Sequence, residues 1–337
     1  MNDSILLGHG SGGTLSHDLI QDIFVKHFDN PTLSQQTDSA ILKHDEGSLS
    51  FTTDSFVVDP IFFPGGDIGK LAVCGTINDL AVSGATPKFL SASFIIEEGF
   101  SMKMLEEIVI SMAAEAKKAG VNIVTGDTKV VHRGQCDKLF INTSGIGFIE
   151  DKNKSIGTAE KIRVDDKIII NGTLGDHGMA ILKAREFNRF KAPIQSDCAC
   201  LNKLITEVLQ ISDQIHFMRD ATRGGLATVL SELVKSRAFG IELSENQIPI
   251  RDEVRAMCEL MGFDPLYVAN EGIVVMVVGK DDADIVLQTM RKNKLAKKAS
   301  IIGEITADHM GKAWVKTEIG GRRIMDMLAG EQLPRIC

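Results

Sequence analysis

The last residue of the chain, Cys337, carries a thiol, and a thiolate is the strongest nucleophile among protein side chains near neutral pH. A prenylation motif needs three residues after the cysteine, and none follows here. The segment from Glu331 to Cys337 would reach about 23 Å when extended. The tail is therefore either a frayed chain end or an arm that carries a reactive thiol from one site to another.

Four aspartates follow short apolar runs at separate places in the sequence: Asp54, Asp79, Asp127 and Asp220. Sites in α/β proteins are built at the carboxyl ends of strands, and carboxylates that converge there repel unless a cation lies between them. Oxygen ligands without paired histidines or cysteines favour Mg²⁺, which usually accompanies nucleotide phosphates. Each aspartate alone is equally well explained as a helix cap or turn residue, but the set predicts a metal–nucleotide site.

Two glycine-rich segments have the composition of phosphate-binding loops. The first contains Gly10, Ser11, Gly12 and Gly13, and its backbone N–H groups either cradle a phosphate or belong to an N-terminal segment without a ligand. Its sequence matches the G-x-G-x-x-G pattern of dinucleotide-binding proteins, but too few residues precede it to form the βαβ unit that this pattern requires. The second segment places Gly224 before a predicted helix, where anions bind well.

Single residues add three candidates. Lys129 would neutralise a phosphate, or it is a surface lysine. Glu271 precedes an apolar strand, where partial burial would raise its pKa and suit a general base, or it is a turn residue. His177 either caps a helix or contacts a ligand. The Cys198-x-Cys200 pair has no second pair, and we expect it to be structural.

Hydrophobic periodicity and turn residues predict the elements that position these groups. The predicted helices span residues 15–28, 67–82, 102–119, 177–187, 201–210, 226–237, 252–261 and 282–292. The predicted strands span 49–53, 56–58, 89–96, 121–124, 139–149, 167–170, 215–218, 241–243, 273–278 and 300–305. The mixture without strict βαβ alternation predicts an α+β or mixed α/β fold.

A polar stretch at 151–160 is the expected linker between two domains. The predicted organisation is a glycine-rich segment at 1–36, an N-terminal domain at 37–150, a C-terminal α/β domain at 160–330 and a mobile tail at 331–337.

Composition excludes several classes of protein. Apolar residues make up 44% and charged residues 24%, as in soluble globular proteins. The net charge of −8 and the absence of a basic cluster argue against nucleic-acid binding. No apolar stretch approaches the length of a membrane span and no signal peptide is evident, so we expect a cytoplasmic protein with reduced thiols.

Taken in order, several segments resemble the HypE family of hydrogenase maturation proteins over essentially the whole chain: GHGSGG, FFPGGDIGKLAVCGTINDLAVSGA, IVTGDTKVV, NGTLGDHG, RDATRGGLA, NEG and the terminal PRIC. Members of that family are carbamoyl dehydratases that make the cyanide ligands of nickel–iron hydrogenase. PRIC together with TLGDHG is specific, whereas the aspartate loops are shared with aminoimidazole ribonucleotide synthetase, selenophosphate synthetase and thiamine monophosphate kinase. Selenophosphate synthetase matches less well, because Ser11 stands where a Cys or selenocysteine would be expected.

The resemblance implies a two-domain PurM-like fold, a homodimer formed through a β-barrel-like centre, and ATP with Mg²⁺ between the domains. It assigns metal and nucleotide contacts to Asp54, Asp79, Asp127 and Asp220, and further nucleotide contacts to Gly10, Ser11, Gly12, Gly13, Asn78 and Gly224. Lys129 would meet a phosphate or the carbamoyl oxygen. Glu271 would take a proton, and Cys337 would carry the carbamoyl group as it becomes a thiocyanate. The implied partners are a HypF-type carbamoyltransferase and a HypC–HypD-type iron scaffold complex.

Two other interpretations stay open. One is an ATP-dependent enzyme of the same fold that acts on a small molecule and has an idle tail, in which turnover would survive loss of Cys337. The other is a docking protein without catalysis, whose tail thiol binds a metal and which would not hydrolyse ATP.

Overall fold

The computed structural model describes residues 13–19, 21, 40–44, 47–185, 192–328, 330 and 332–337. Gly10, Ser11 and Gly12 lie outside the described residues, as does most of the predicted helix at 15–28 beyond Leu19.

The N-terminal half contains a sheet of five strands in the order β1-β2-β7-β5-β6 and a separate two-stranded hairpin, β3–β4. Its elements in chain order are α1 (Thr14–Leu19), β1 (Ala40–His44), β2 (Gly47–Phe56), β3 (Phe62–Phe63), β4 (Gly66–Asp67), α2 (Ile68–Val82), β5 (Ala85–Glu97), α3 (Met102–Ala119), β6 (Asn122–Val131) and β7 (Leu139–Ile149). Neighbouring strands of the sheet are antiparallel except β5 and β6, which are parallel and joined by the α3 crossover.

Helix α2 lies at the centre of the molecule. Thirteen of its fifteen residues are buried, so it is apolar on all sides rather than amphipathic. It begins where the Asp67 carboxylate accepts hydrogen bonds from the backbone N–H groups of Gly69 and Lys70, at 2.8 and 3.0 Å. One side of α2 packs on β2 and β7, and the helix also contacts α3 and residues of the C-terminal half.

The C-terminal half is built on a seven-stranded sheet with the order β14-β13-β10-β12-β8-β11-β9. Its elements are β8 (Lys167–Ile170), α4 (Asp176–Arg185), α5 (Asn202–Ile211), β9 (Ile215–Asp220), α6 (Gly225–Val234), β10 (Gly240–Ser244), α7 (Asp252–Met261), β11 (Val274–Val278), α8 (Ala283–Lys292), β12 (Ser300–Thr306), β13 (Ala313–Lys316) and β14 (Arg322–Met325). Short 3-10 helices lie at Asp151–Asn153, Glu245–Gln247, Pro265–Tyr267 and Lys294–Ala296.

Strand β11 explains why this sheet is covered on both faces. All five of its residues are buried. Val275 and Val277 pack into the cluster that contains α6, whereas Met276 packs into the cluster that contains α5 and α8. Side chains alternate across a strand, so an unbroken apolar run fits a sheet between two layers of helices. This confirms the mixed α/β fold.

Several predicted elements differ from those observed. The predicted strands 49–53 and 56–58 are one strand, β2, and Val57 lies beyond it because its N–H pairs with the carbonyl of Cys337. The predicted strand 121–124 continues to Val131, because Gly126 lets β6 approach β5; a Cβ there would lie 2.0 Å from the Ala92 oxygen. Sequence analysis missed β1, the β3–β4 hairpin, β13 and β14. Among the described residues, no helix is long and apolar enough to cross a membrane.

Candidate active site

Glu271 lies in a buried acidic cluster between the two halves of the molecule. Only 3% of the residue is exposed, and its Oε1 atom has no hydrogen-bond partner within the described part of the chain. Its pKa is raised well above the ordinary value, first by burial and then by four neighbouring groups: Cys198, Asp197, Asp220 and Asp54. A buried oxygen without a partner, surrounded by acids, is a suitable environment for a cation or for a ligand that donates hydrogen bonds.

Asp197 is a member of this cluster that sequence analysis missed. Its carboxylate accepts hydrogen bonds from the N–H groups of Glu271, at 3.1 and 3.2 Å, and of Gly272, at 2.9 Å. Burial is the main reason that its pKa is raised to about 7. Gly272 permits the contact, because a Cβ there would lie 2.0 Å from the Asp197 carbonyl oxygen. Asp197 therefore fixes the backbone that carries Glu271, and the glycine after Glu271 was the one sequence signal for it.

Asn78 ties helix α2 to the same backbone. Its side-chain amide donates to the carbonyls of Ala199, at 3.0 Å, and Glu271, at 3.4 Å, and its oxygen accepts from the N–H of Leu201 at 2.8 Å. Both amide hydrogens are thus used by backbone carbonyls. Asn78 therefore positions the backbone of Glu271, and its expected nucleotide contact stays a prediction.

Of the four predicted aspartates, two join the cluster around Glu271. Asp220 is the last residue of β9 and is 8% exposed, as expected for a site at a strand end. Asp54 lies in β2 near its carboxyl end, and burial raises its pKa despite the opposing effect of the Arg223 guanidinium. Asp54 comes from the N-terminal half and Asp220 from the C-terminal half, so this pair of carboxylates forms only when the halves pack together.

The other two aspartates are not at strand ends, and that part of the prediction is wrong. Asp79 lies inside helix α2, where it accepts a hydrogen bond from the Thr52 hydroxyl at 2.9 Å. Asp127 lies in the middle of β6 and is exposed, and the Lys129 ammonium binds it at 2.6 Å. That hydrogen bond to Lys129 is the main cause of the lowered pKa of Asp127.

Asp127 and Lys129 are distant from Asp54 within one chain. Register places Ser55, Asn142, Ser93 and Asp127 in one row across β2, β7, β5 and β6. Three strand spacings separate the ends of that row, which is about 14 Å. A single chain therefore does not bring Asp127 and Lys129 to the acidic cluster.

Of the first glycine segment only Gly13 is described, and it lies near Gly224 of the second. Gly224 is the N-cap of α6 with φ +74°, and it lines a cavity together with Arg223, Leu328 and Ile336. Gly13 packs against the Leu328 carbonyl so closely that a Cβ there would lie 2.0 Å from its oxygen. The N–H of the next residue, Thr14, donates to that oxygen at 2.8 Å.

The C-terminal tail docks onto the chain that follows β2. The carbonyl of Cys337 accepts from the N–H of Val57 at 3.0 Å, and the carbonyl of Arg335 accepts from the N–H of Asp59 at 3.2 Å. The Arg335 guanidinium donates to the Val57 carbonyl at 2.9 Å and pairs with Asp137. The Cys337 side chain is partly buried against the N-terminal core. Since Val57 is three residues beyond Asp54, the backbone of Cys337 lies on the order of 10 Å from the backbone of Asp54.

His177 holds the tail from the other side. Its Nε2 lies 2.7 Å from the Ile336 carbonyl and its Nδ1 lies 2.7 Å from the Ser196 hydroxyl. A carbonyl only accepts, so Nε2 carries the proton and Nδ1 accepts from Ser196. Burial is the main cause of the lowered pKa of His177, about 4, which keeps the ring neutral near pH 7. The contacts of His177 are therefore with the tail and Ser196, which is neither of the two roles considered, a helix cap or a ligand contact.

Comparison with known proteins gives two family models and many close relatives. The AIR synthase related protein N-terminal domain matches residues 36–149, and the corresponding C-terminal domain matches residues 163–316. The chain is 47% identical to carbamoyl dehydratase HypE of Rhodobacter capsulatus over 338 residues, which cover 100% of this chain and 99% of the relative.

Solved structures agree with this. A HypE–HypF complex contains a chain of 46% identity that aligns with a TM-score of 0.86, covering 92% of this chain and 99% of the other. A hydrogenase maturation protein HypE in complex with ATP is also 46% identical, with a TM-score of 0.82 and coverage of 99% and 100%.

Proposed function

The chain belongs to the HypE family of hydrogenase maturation proteins and is a carbamoyl dehydratase, and from this premise we propose that it carries its substrate on its own Cys337. The docked tail is the observation that supports this proposal. It places the residue that bears the thiol on the order of 10 Å from Asp54, beside a buried acidic cluster.

The proposed reaction converts an S-carbamoyl group, S–C(=O)–NH₂, into a thiocyanate, S–C≡N. The carbamoyl oxygen attacks the γ-phosphorus of ATP, the bond from that phosphorus to the ADP oxygen breaks, and the oxygen becomes part of a good leaving group. The C–O bond then breaks and phosphate departs, while the nitrogen loses both protons as the triple bond forms. One ATP is consumed and one ADP and one phosphate are released for each thiocyanate. ATP is the proposed co-substrate because a relative of 46% identity was crystallised with it.

The acidic cluster offers the oxygen ligands that a divalent cation prefers, although no three of its carboxylates have oxygens within 4.8 Å of one another in the described part of the chain. Burial raises the pKa of Glu271, Asp54 and Asp197, so the cluster is unfavourable as a set of free carboxylates and would gain from a positive charge. Asp54 and Asp220, with Asp79 nearby on α2, would hold Mg²⁺. When bound, Mg²⁺ neutralises charge on the phosphates, which together with positioning is most of what phosphoryl transfer needs.

Glu271 is the proposed general base. Burial raises the pKa of its carboxyl, and a neighbouring cation would lower that pKa and so favour the carboxylate that accepts a proton from the carbamoyl nitrogen. Asp197 and Asn78 hold its backbone in place. The residues that line the cavity at Gly224, with Gly13 beside them, would bind nucleotide phosphates.

A homodimer is part of the proposal. Register places Phe51, Phe89 and Phe148 on one face of the N-terminal sheet, where they are 41%, 40% and 45% exposed. Exposed apolar patches of this kind mark interaction surfaces, and we assign this one to a second copy of the chain. Asp127 and Lys129 lie on the same face. In the proposed dimer they would contact the nucleotide in the site of the second copy, as their predicted roles require.

The proposed partners follow from the chemistry. A thiol receives a carbamoyl group only from an activated donor, which a HypF-type carbamoyltransferase would supply, and a relative was solved in a HypE–HypF complex. A HypC–HypD-type iron scaffold would take the cyanide. The cytoplasmic location expected from the sequence stays a prediction.

Single-turnover ADP formation tests the proposal. Wild-type protein carbamoylated in advance should form about one ADP for each carbamoyl group, because each dehydration consumes one ATP. The matched control Cys258→Ala removes a different buried thiol and should behave like wild type. Cys337→Ala should form no such burst. A burst of equal size in Cys337→Ala would favour an enzyme of this fold that acts on a small molecule, and no ADP from any protein would favour a docking protein.

A further inference from the structure

Cys74 meets the distant Cys198-x-Cys200 pair where α2 packs against the segment that precedes α5. Cys74 lies in α2 and is buried, and its Sγ is 3.4 Å from the Sγ of Cys200, which is partly exposed. Cys198 lies close enough to raise the pKa of the Cys74 thiol. The Cys198-x-Cys200 pair, without a partner in the sequence, therefore acquires a third thiol in the fold.

Helix α3 adds a carboxylate to this group. One ligand atom from each of Cys74, Cys200 and Glu115 lies within 4.8 Å of the others, which among the described residues is the one such group of potential metal ligands. The Glu115 side chain is only 12% exposed. One of its oxygens pairs with the Lys118 ammonium at 2.7 Å, which leaves the other for a ligand role.

We propose that Cys74, Cys200 and Glu115 form a Zn²⁺ site with three protein ligands and one water. Two sulfurs bound to a tetrahedral zinc lie about 3.8 Å apart, so the thiols need to separate by only a few tenths of an ångström. A disulfide would instead require the sulfurs to approach to about 2.05 Å. Two thiolates and a carboxylate carry three negative charges and suit zinc better than a hard cation such as Mg²⁺.

A positively charged side chain lies beside the proposed site. Thiols bind zinc as thiolates, so binding releases protons and its apparent affinity should increase with pH. Lys118 opposes a cation at this place, but its side chain is 68% exposed and is able to turn into solvent.

The proposed zinc site lies where it would hold the segment that positions Glu271. Cys74 is one helical turn before Asn78, and Asn78 binds the backbone of Ala199 and Leu201 on either side of Cys200. Asp197, which holds Glu271, lies three residues before Cys200. Zinc would thus link α2 and α3 of the N-terminal half to the segment that positions Glu271.

Metal binding to purified protein tests the site without any measurement of turnover. The Cys337→Ala background removes the tail thiol, which would otherwise compete for metal. After metal removal and dialysis against Zn²⁺ under a phosphine reductant, this protein should retain about one zinc per chain. Co²⁺ should give the charge-transfer absorption of thiolate–cobalt bonds. Zinc should raise the Tm in a saturable way, because it binds the folded state.

Variants locate the site. We expect zinc binding to weaken by more than about 10-fold in each of three variants: Cys200→Ser, Cys74→Ser and Glu115→Gln. Loss of a residue that only supports a ligand already costs about 10-fold or more, and loss of a ligand should cost more. Cys258→Ser, which alters a buried thiol in another cluster, should bind as the background does. Cys200 and Glu115 are partly exposed, so their variants remain informative if Cys74→Ser fails to fold. Absence of the thiolate–cobalt band, or equal zinc affinity in Cys200→Ser, Glu115→Gln and Cys258→Ser, would overturn the proposal.

Discussion

Glu271 is a residue at which folding and chemistry have opposite requirements. Its pKa is higher in the folded protein than in the unfolded chain, chiefly because the carboxyl is buried. The folded state therefore binds the proton of this carboxyl more tightly than the unfolded chain does. The stability that the protonated carboxyl contributes is present at low pH and is lost as the pH rises through the folded pKa. A buried acid that destabilises the protein at working pH is typical of a functional site.

The variant Glu271→Gln should separate these two effects. At pH 8 the variant should melt about 2–4 °C above wild type, which corresponds to about 1 kcal/mol, whereas at pH 5 the difference should shrink. Thiocyanate formation should fall by about 10²–10⁴-fold, as expected for loss of a general base, while Cys337 still accepts the carbamoyl group. Calorimetry at the two pH values and single-turnover assays measure these quantities. Normal turnover in the variant would show that another group is the base.

Sequence reasoning found Glu271 but missed Asp197, and the difference has a physical cause. Glu271 stands directly before an apolar strand, so a local pattern indicates its burial. Asp197 lies in a segment without regular structure, and it is defined by contacts with Glu271 and Gly272 more than seventy residues away. The one local trace of these contacts is Gly272, and a glycine alone does not identify the residue that packs against it.

The tail is the element on which the proposed chemistry depends most. It is held at its carbonyls by His177, Arg185 and the chain after β2, and at its apolar side chains by the core. A thiol that visits a carbamoyl donor, this site and an iron scaffold must also leave, so we expect an extended state in equilibrium with the docked one.

His177→Ala should shift that equilibrium. The variant loses the 2.7 Å hydrogen bond to the Ile336 carbonyl, and a buried hydrogen bond contributes about 1 kcal/mol, so a thiol reagent should label Cys337 about 5–10-fold faster. His132→Ala is the control, because that side chain is 87% exposed. ATP should slow labelling of Cys337 in wild type. Equal labelling rates in His177→Ala, His132→Ala and wild type would contradict the role of His177.

The pH dependence of stability tests the same residue. His177 has a pKa of about 4 in the fold and 6.5 ordinarily, so the unfolded chain binds more protons between these values. Stability from this group is complete above pH 6.5 and is lost as the pH falls toward 4. Chemical denaturation at pH 7 and pH 5 should show a smaller loss for His177→Gln than for wild type. An identical loss would show that the imidazole is not held neutral by the fold.

Elements were predicted best where a local pattern was strong. Helix α3 has an amphipathic stripe between a serine N-cap and a glycine C-cap, and both ends were predicted correctly. Helix α2 was predicted, and its predicted range already contained Asp79, so grouping Asp79 with aspartates at strand ends was inconsistent with that helix. Strands β13 and β14 were missed because each has only four residues, and β14 is mostly exposed.

At the scale of the whole molecule, the acidic cluster exists only because the two halves pack together, with Asp54 from one and Asp220 and Glu271 from the other. We propose that the outer face of the N-terminal sheet packs in turn against a second copy of the chain. A family resemblance predicted the homodimer, whereas composition and periodicity did not, since half-exposed phenylalanines on a sheet look ordinary in a sequence.

Phe148→Glu should break the proposed dimer. A buried charge in the centre of an apolar interface is unfavourable by several kcal/mol, so the variant should elute as a monomer in size-exclusion chromatography with light scattering. Leu260→Glu is the matched control, because Leu260 is 71% exposed on helix α7. A dimer that persists in Phe148→Glu, or a wild-type protein that is monomeric, would contradict the assignment of this face.

The proposed function depends on Cys337 as the residue that carries the carbamoyl group, and mass spectrometry of the C-terminal peptide tests this most directly. The protein is incubated with ATP and a carbamoyl donor system, quenched at intervals and digested, and the peptide that ends in Cys337 is followed over time. That peptide should first gain the mass of one carbamoyl group and then lose the mass of one water, and Glu271→Gln should stop after the first step. An unmodified Cys337 peptide throughout full ATP turnover would contradict the account.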